Sequence, residues 1–276
     1  MSIVIGLIVG LVLGLTGAGG SIFAVPLLMA GLGWPITQAA TVSLLAVAIS
    51  AAVGTAMAWK HSYVRYRAAT LMAFVGILVA PLGIRIADGL PPAVLMMIFA
   101  AVLAVVAVRM YRMATVSGED ASVVRAMVAG EGKSSAGKIG AVDPVSGRLV
   151  WSSPVALTIA SIGALTGFLS GLLGVGGGFV IVPALRAALP LSMHSAVATS
   201  LMAIALTSAS TFVSSVSLGR QAPLAMAIPF VAGSVLGMVL GRQAAPRISG
   251  PSLQKGFAVT AGIISVVMAF RASLAM

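Results

Sequence analysis

Long apolar runs separated by short polar or Gly/Pro breaks fill most of the chain. They lie at about 3–16, 21–33, 36–59, 68–87 and 91–111, and again at about 152–173, 178–190, 194–218, 223–243 and 252–273. A transmembrane helix takes about 20 apolar residues, so the pattern predicts an all-α integral membrane protein with about eight to ten membrane segments. The runs 3–16, 21–33 and 178–190 are the exception. As helices they reach only about 20 Å against a hydrocarbon core of about 30 Å. They are expected as half-helices of re-entrant hairpins whose Gly-rich turn sits at membrane depth, with an eight-span count as the alternative.

Between the two sets, residues 113–150 are polar and carry Glu119, Asp120, Glu131 and Asp143. This stretch reads as a cytoplasmic linker joining an N-terminal repeat, 1–112, to a C-terminal repeat, 151–276. Its end, residues 138–151, has a Pro/Gly turn between β-prone runs and predicts a hairpin outside the membrane.

The two sets are copies of one unit. At an offset of 157 residues, Gly6, Gly10 and Gly14 fall on Gly163, Gly167 and Gly171, and Gly17, Gly19 and Gly20 fall on Gly174, Gly176 and Gly177. The same register pairs Val25-Pro26 with Val182-Pro183, Ser43-Leu44 with Ser200-Leu201, Gly76 with Gly233, and Arg85 with Arg242. A gapless match over this length marks an internal duplication. Five segments per unit, with the linker in the cytoplasm, place thirteen Lys and Arg inside and only Arg85, Arg220 and Arg271 outside. That positive-inside bias puts both termini outside the inner membrane. An odd-numbered unit repeated in this way runs in opposite directions, which predicts an inverted repeat.

Composition narrows the class further. The chain is 60% hydrophobic and 8% charged, against about 25% charged in soluble domains, so its principal partner is the lipid bilayer. Zero cysteines exclude disulfides and thiolate sites, and two histidines are too few for a usual transition-metal centre; no cofactor or metal is expected. The net charge of +11 is read as cytoplasmic basic loops and not as a nucleic-acid surface. The opening MSIVIGLIVG lacks the basic region and cleavage site of a signal peptide and is read as the first helix.

The candidate chemistry lies in the doubled turns GLTGAGGSIFAVP (Gly14–Pro26) and GLLGVGGGFVIVP (Gly171–Pro183). A Gly-rich turn leading into a helix presents unpaired backbone N–H groups that suit an anion. The alternative is that the glycines only permit a tight bend and close packing. Thr41, Ser43, Thr199 and Ser200 follow inside the third segment of each unit. Each hydroxyl either donates to a bound anion or bonds back to the preceding turn. Ser50, Thr55, Thr207, Ser208, Ser210 and Thr211 continue those helices along a path. The rows Gly6-Gly10-Gly14, Gly163-Gly167-Gly171 and Gly233-Gly237-Gly241 form a close-packing seam, internal or on the face of a homodimer. Arg85 and Arg242 are snorkelling anchors or electrostatic funnels, and His61 and His194 are interfacial.

Several activities are excluded. The linker's GEGKSS lacks the first glycine of a phosphate-binding loop, Met127 standing in its place. The serine in Gly167–Gly171 has no histidine at membrane depth to act as its base, so no enzyme activity is expected. Outside the linker Asp88 is the only carboxylate, which removes the usual proton- or sodium-coupling groups and favours export of an anion down the membrane potential.

The doubled Gly turn ending in Val-Pro, followed by Ala39–Leu44 and Ala196–Leu201, resembles the TauE/SafE family of sulfite and organosulfonate exporters. The resemblance covers both halves but not residues 113–150. It implies a carrier for small sulfur-containing anions such as sulfite, sulfoacetate or taurine-like sulfonates, with Gly17, Gly19, Gly20, Gly174, Gly176 and Gly177 as its turn glycines. Ser21 departs from the glycine of the second copy, Gly178. Uptake of a related anion such as thiosulfate, and a membrane assembly role, are the competing readings.

Overall fold

A computed structural model of the chain describes residues 1–17, 20–59, 64–128, 151–189, 193–221, 223–245 and 250–274. These residues form ten helices and no strand: α1 (Ser2–Thr16), α2 (Gly20–Leu32), α3 (Ile36–Trp59), α4 (Tyr66–Asp88), α5 (Pro92–Val128), α6 (Ser153–Leu173), α7 (Gly178–Ala188), α8 (Met193–Ser217), α9 (Leu224–Ala244) and α10 (Gly250–Leu274). Each apolar run of the sequence becomes one helix. Six of them contain a segment long and apolar enough to cross a bilayer, including Pro92–Arg112 of α5, while α1, α2, α7 and the Ala258–Ser273 part of α10 are shorter. α5 continues into the polar stretch as far as Val128, so residue 112 lies inside a helix and not at a break. The hairpin expected over 138–151 falls, but for Trp151, outside the described residues, as do Gly19 and His61.

Helix α1 ends where Gly17 adopts a left-handed conformation (φ 71°) and its N–H bonds the Leu13 carbonyl at 2.7 Å. Helix α6 ends the same way, with Gly174 at φ 70° and its N–H on the Ser170 carbonyl at 2.9 Å. A side chain in that conformation is strained, so glycine closes both helices. The short helices that follow each contain a proline, Pro26 in α2 and Pro183 in α7. Proline has no N–H, so the carbonyls of Ile22 and Phe179 lose their helical donor.

The glycine rows bring helices into backbone contact. A side chain on Gly6 would run into the Phe230 carbonyl, one on Gly10 into Ser234, and one on Gly14 into Met238 and Arg242; rising numbers on both helices mean that α1 and α9 run parallel. In the same way Gly163 faces Met72, Gly167 faces Gly76 and Gly171 faces Ala80 and Ile84, so α6 runs parallel to α4. These seams are internal packing. In contrast, α3 and α8 cross in opposite senses: Leu201 reaches Gly54, and Ala198 packs with Ala58. The helix contacts pair off under the 157-residue offset, α1–α9 with α6–α4, α3–α9 with α8–α4, and α2–α3 with α7–α8.

Polar contacts tie the ends together. Beyond the end of α8, Arg220 donates from Nε and Nη2 to Asp88 Oδ1 (2.9 and 2.7 Å) at the last residue of α4, and from Nη2 to the Ile84 carbonyl (3.3 Å). At the other end of α4, the Arg67 guanidinium lies 5.2 Å from the centroid of the Trp151 ring, within cation–π range. Outward faces are apolar, as with Phe74, Leu78 and Leu82 on α4 and Ile263, Val266 and Phe270 on α10, which suits contact with lipid tails.

Gly167→Ala places a Cβ about 2.6 Å from the Gly76 carbonyl carbon. It is expected to lower stability by about 1–3 kcal/mol. Leu78→Ala, on the outward face, should change it by less than about 0.5 kcal/mol. Thermal unfolding of the detergent-solubilised variants distinguishes the two.

Candidate functional site

Both glycine bends are buried against the α3–α8 pair. Gly17 abuts Val197 of α8, and its carbonyl accepts a hydrogen bond from Ser200 Oγ at 3.1 Å. Gly174 abuts Ala40 of α3, whose Cα lies 2.5 Å from the position of a built Cβ. The first bend therefore meets the N-terminal turns of α8, which face Gly54 and Ala58 of α3, and the second meets the N-terminal part of α3. Fourteen residues of helix, about 20 Å, separate Ala40 from Gly54. The second bend then reaches the middle of the pair. A side chain on Gly176 would meet Val47 of α3 (3.1 Å), Ile204 of α8 (3.7 Å) and the hydroxyl of Ser208. Gly177 is wedged against Thr166 of α6, and Gly20, its counterpart, against Val9 and Leu13 of α1.

Gly174, Gly176 and Gly177 all take left-handed backbone angles (φ 70°, 71° and 66°). Within this bend the Gly174 amide donates to Ser170 and the Val180 amide to the Gly177 carbonyl at 3.2 Å. The amides of Val175, Gly176 and Gly177 donate to no backbone carbonyl among the described residues. All three residues are buried and lead into α7.

The hydroxyls anticipated in the third segments divide into two kinds. Thr41 Oγ1 bonds back to the Thr37 carbonyl (2.9 Å), and Thr199 Oγ1 accepts the backbone N–H of Arg65 (3.0 Å), so both have structural partners. Ser200 donates to Val197 (2.8 Å) as well as to Gly17. Ser43 is fully buried and has no hydrogen-bond partner. Two further buried serines on α8, Ser208 and Ser215, are equally unpartnered. Ser215 was not anticipated; it stands seven residues beyond Ser208, two turns along the same helix face, a spacing visible in the sequence. Ser50 pairs with Ser234 (2.9 Å) across α3 and α9, and Thr211 binds the Thr207 carbonyl (2.7 Å) and accepts from Ser170 (3.3 Å).

An apolar groove of about 280 Å³ lies between α3 and α9, lined by Leu45, Ile49, Ala227, Ile228, Val231 and Ala232. Its lining offers no polar side chain to an anion. Among the described residues no three His, Cys, Asp or Glu side chains cluster as a metal site would need.

Comparison with known proteins bears on this arrangement. The family model described as sulfite exporter TauE/SafE matches residues 2–268. The chain belongs to the TauE/SafE family. Two probable membrane transporter proteins of Xylella fastidiosa, from strains Temecula1 and 9a5c, are 31% and 32% identical to it over 246 and 249 residues. Each match covers 88% of this chain and 83% of the relative. A probable membrane transporter protein of Methanocaldococcus jannaschii is 37% identical over 97 residues, 31% of this chain and 36% of the relative. No solved structure matches the chain. As a TauE/SafE member with six bilayer-length apolar helices, the protein is a multi-pass membrane transporter, and the bends lie inside its helical bundle.

Gly176→Ala and Gly219→Ala impose the same backbone strain, since both glycines have positive φ (71° and 86°), but Gly219 faces open space. Gly176→Ala is expected to cost about 1–3 kcal/mol more than Gly219→Ala, the overpacking contribution of the bend. Paired thermal unfolding curves measure the difference.

Proposed function

We propose that the chain carries small sulfur-containing anions, sulfite or organosulfonates, across the inner membrane, and that it exports them. The observation that carries this reading is a buried glycine bend that meets the middle of α3 and α8 at Gly176 and whose Val175, Gly176 and Gly177 amides donate to no backbone carbonyl among the described residues. Peptide N–H groups donate and cannot accept, so they favour an oxygen-rich anion over a cation. Family membership supports a transporter, and the family description supports a sulfur oxyanion as its cargo.

The matched helix contacts and the opposed directions of α3 and α8 support an inverted repeat, with one hairpin entering from each side of the bilayer. On this reading the linker and the Arg67–Trp151 end of α4 face the cytoplasm, and the Arg220–Asp88 end and both termini face outward, as the excess of basic residues suggests. The basis for export is electrostatic. The one described carboxylate outside the linker, Asp88, is engaged by Arg220, which leaves no free acid to couple a cation. An inside-negative potential moves an anion outward with about 2.3 kcal/mol per charge per 100 mV, roughly forty- to fifty-fold in equilibrium concentration.

Proteoliposomes loaded with sulfite or sulfoacetate test this reading. An imposed inside-negative potential is expected to accelerate efflux, and collapsing it should slow efflux towards the leak rate. Flux that is indifferent to potential but depends on a sodium or proton gradient would replace export with coupled uptake.

A further inference from the structure

The two halves are matched in sequence and helix packing, yet the helix faces around their bends differ in their free hydroxyls. Ser208, fully buried, sits with its hydroxyl where a Gly176 side chain would project, and it has no partner. Ser43, also fully buried and unpartnered, lies three residues after Ala40 and four before Val47. Those two residues touch the bend at Gly174 and Gly176, so Ser43 belongs to the helix face that carries the bend. A buried hydroxyl without a partner is penalised on folding. Two of them stand on the helix faces that meet one bend, whose Val175, Gly176 and Gly177 amides donate to no backbone carbonyl among the described residues.

The 157-residue register shows what stands at the related positions of the other half. Ala51 corresponds to Ser208 and Ala58 to Ser215. Ser200, the counterpart of Ser43, spends its hydroxyl on the carbonyls of Gly17 and Val197. At these positions the first bend has no free hydroxyl to offer.

Resting on the carrier reading, we propose that the protein has one oxyanion site and not two. It consists of the amides of the Gly174–Gly177 bend and the hydroxyls of Ser43 and Ser208, and the Gly17 bend is its structural counterpart. Each hydroxyl donates to an anion oxygen, and the ligand satisfies groups that are unpaired when the site is empty. The site contains donors but no cationic side chain, so it holds an oxyanion loosely enough to release it. Ser215, two turns beyond Ser208, continues the same face of α8 towards the Arg220 end and marks the route to that mouth.

The test is equilibrium binding and thermal unfolding of the full-length protein in detergent, with sulfite and sulfoacetate as probes. Ser43→Ala and Ser208→Ala are each expected to weaken binding about tenfold or more, as loss of a hydrogen bond to an anion does. They should also raise the melting temperature of the ligand-free protein by about 2 °C or more, because each removes an unsatisfied buried hydroxyl. Ser200→Ala, which breaks satisfied bonds, should lower that temperature, and Ala51→Ser should leave affinity within about twofold. The proposal is overturned if Ser43→Ala and Ser208→Ala bind as the parent protein does, or if both lower ligand-free stability as Ser200→Ala does. Serine-dependent binding in a protein that moves no anion in vesicles would uphold the site and remove the carrier reading. Transport unaffected by both alanine substitutions would do the reverse.

Discussion

Hydrocarbon gives an unpaired peptide group nothing to bond, so a chain crossing a bilayer must satisfy its own backbone or bury the exceptions in protein. The rest of this structure follows from that constraint. Helices α1 and α6 stop inside the bundle at Gly17 and Gly174, and the second bend has amides that donate to no backbone carbonyl among the described residues. Such a break is tolerable only where neighbouring helices shield it from lipid, and α3 and α8 do so with the small side chains of Ala40 and Val197. The glycine rows serve the same end. By letting α1 lie on α9 and α6 on α4 at backbone distance, they anchor each interrupted helix to an uninterrupted partner from the other half. With no hydrophobic drive between helices in lipid, close van der Waals contact supplies the attraction, and a Cβ on any of these rows would remove it.

Each seam therefore joins the halves to one another. Contacts between α1 and α9, α4 and α6, α3 and α8, and α5 and α10 all cross from one copy to the other, and so does the Arg220–Asp88 pair. Neither copy retains its main helix neighbours if the other is removed. A unit that packs through its partner in this way behaves as one folding body.

Much of this was legible in the sequence because bilayer physics writes long, simple signals. All ten apolar runs became helices with ends within a few residues of those expected, apart from α5. There the charged residues after Arg112 argue against membrane but not against helix, so hydropathy marked the end of the span and missed the end of the helix. The offset of 157 residues predicted which glycines would act alike, and Gly17 and Gly174 cap their helices with the same geometry. The hydroxyls were less legible. Ser43 and Ser200 are equivalent by register, yet one is unpartnered and the other bonds the Gly17 carbonyl. That difference is set by tertiary contacts a few ångströms long, which neither periodicity nor register encodes. Ser208 was one hydroxyl in a row of four until Gly176 was seen to face it.

The proposed site, made of hydroxyls and peptide N–H groups without Lys or Arg, fits a bend whose glycines have no cationic side chain among their nearest described neighbours. A guanidinium beside the bend would bind an oxyanion through charge-assisted, bidentate hydrogen bonds, strong enough in a low-dielectric interior to make it an anchor. A carrier must let go on the far side, so it gains from donors that are individually modest and collectively specific for oxygen. Arg220 and Arg67 lie near helix ends, where Arg220 is held by Asp88 and Arg67 lies over Trp151, and the second bend itself is glycine and valine beside serine. In the proposed site, neutral donors would hold an anion without the protein itself carrying a buried charge that lipid and protein would have to stabilise.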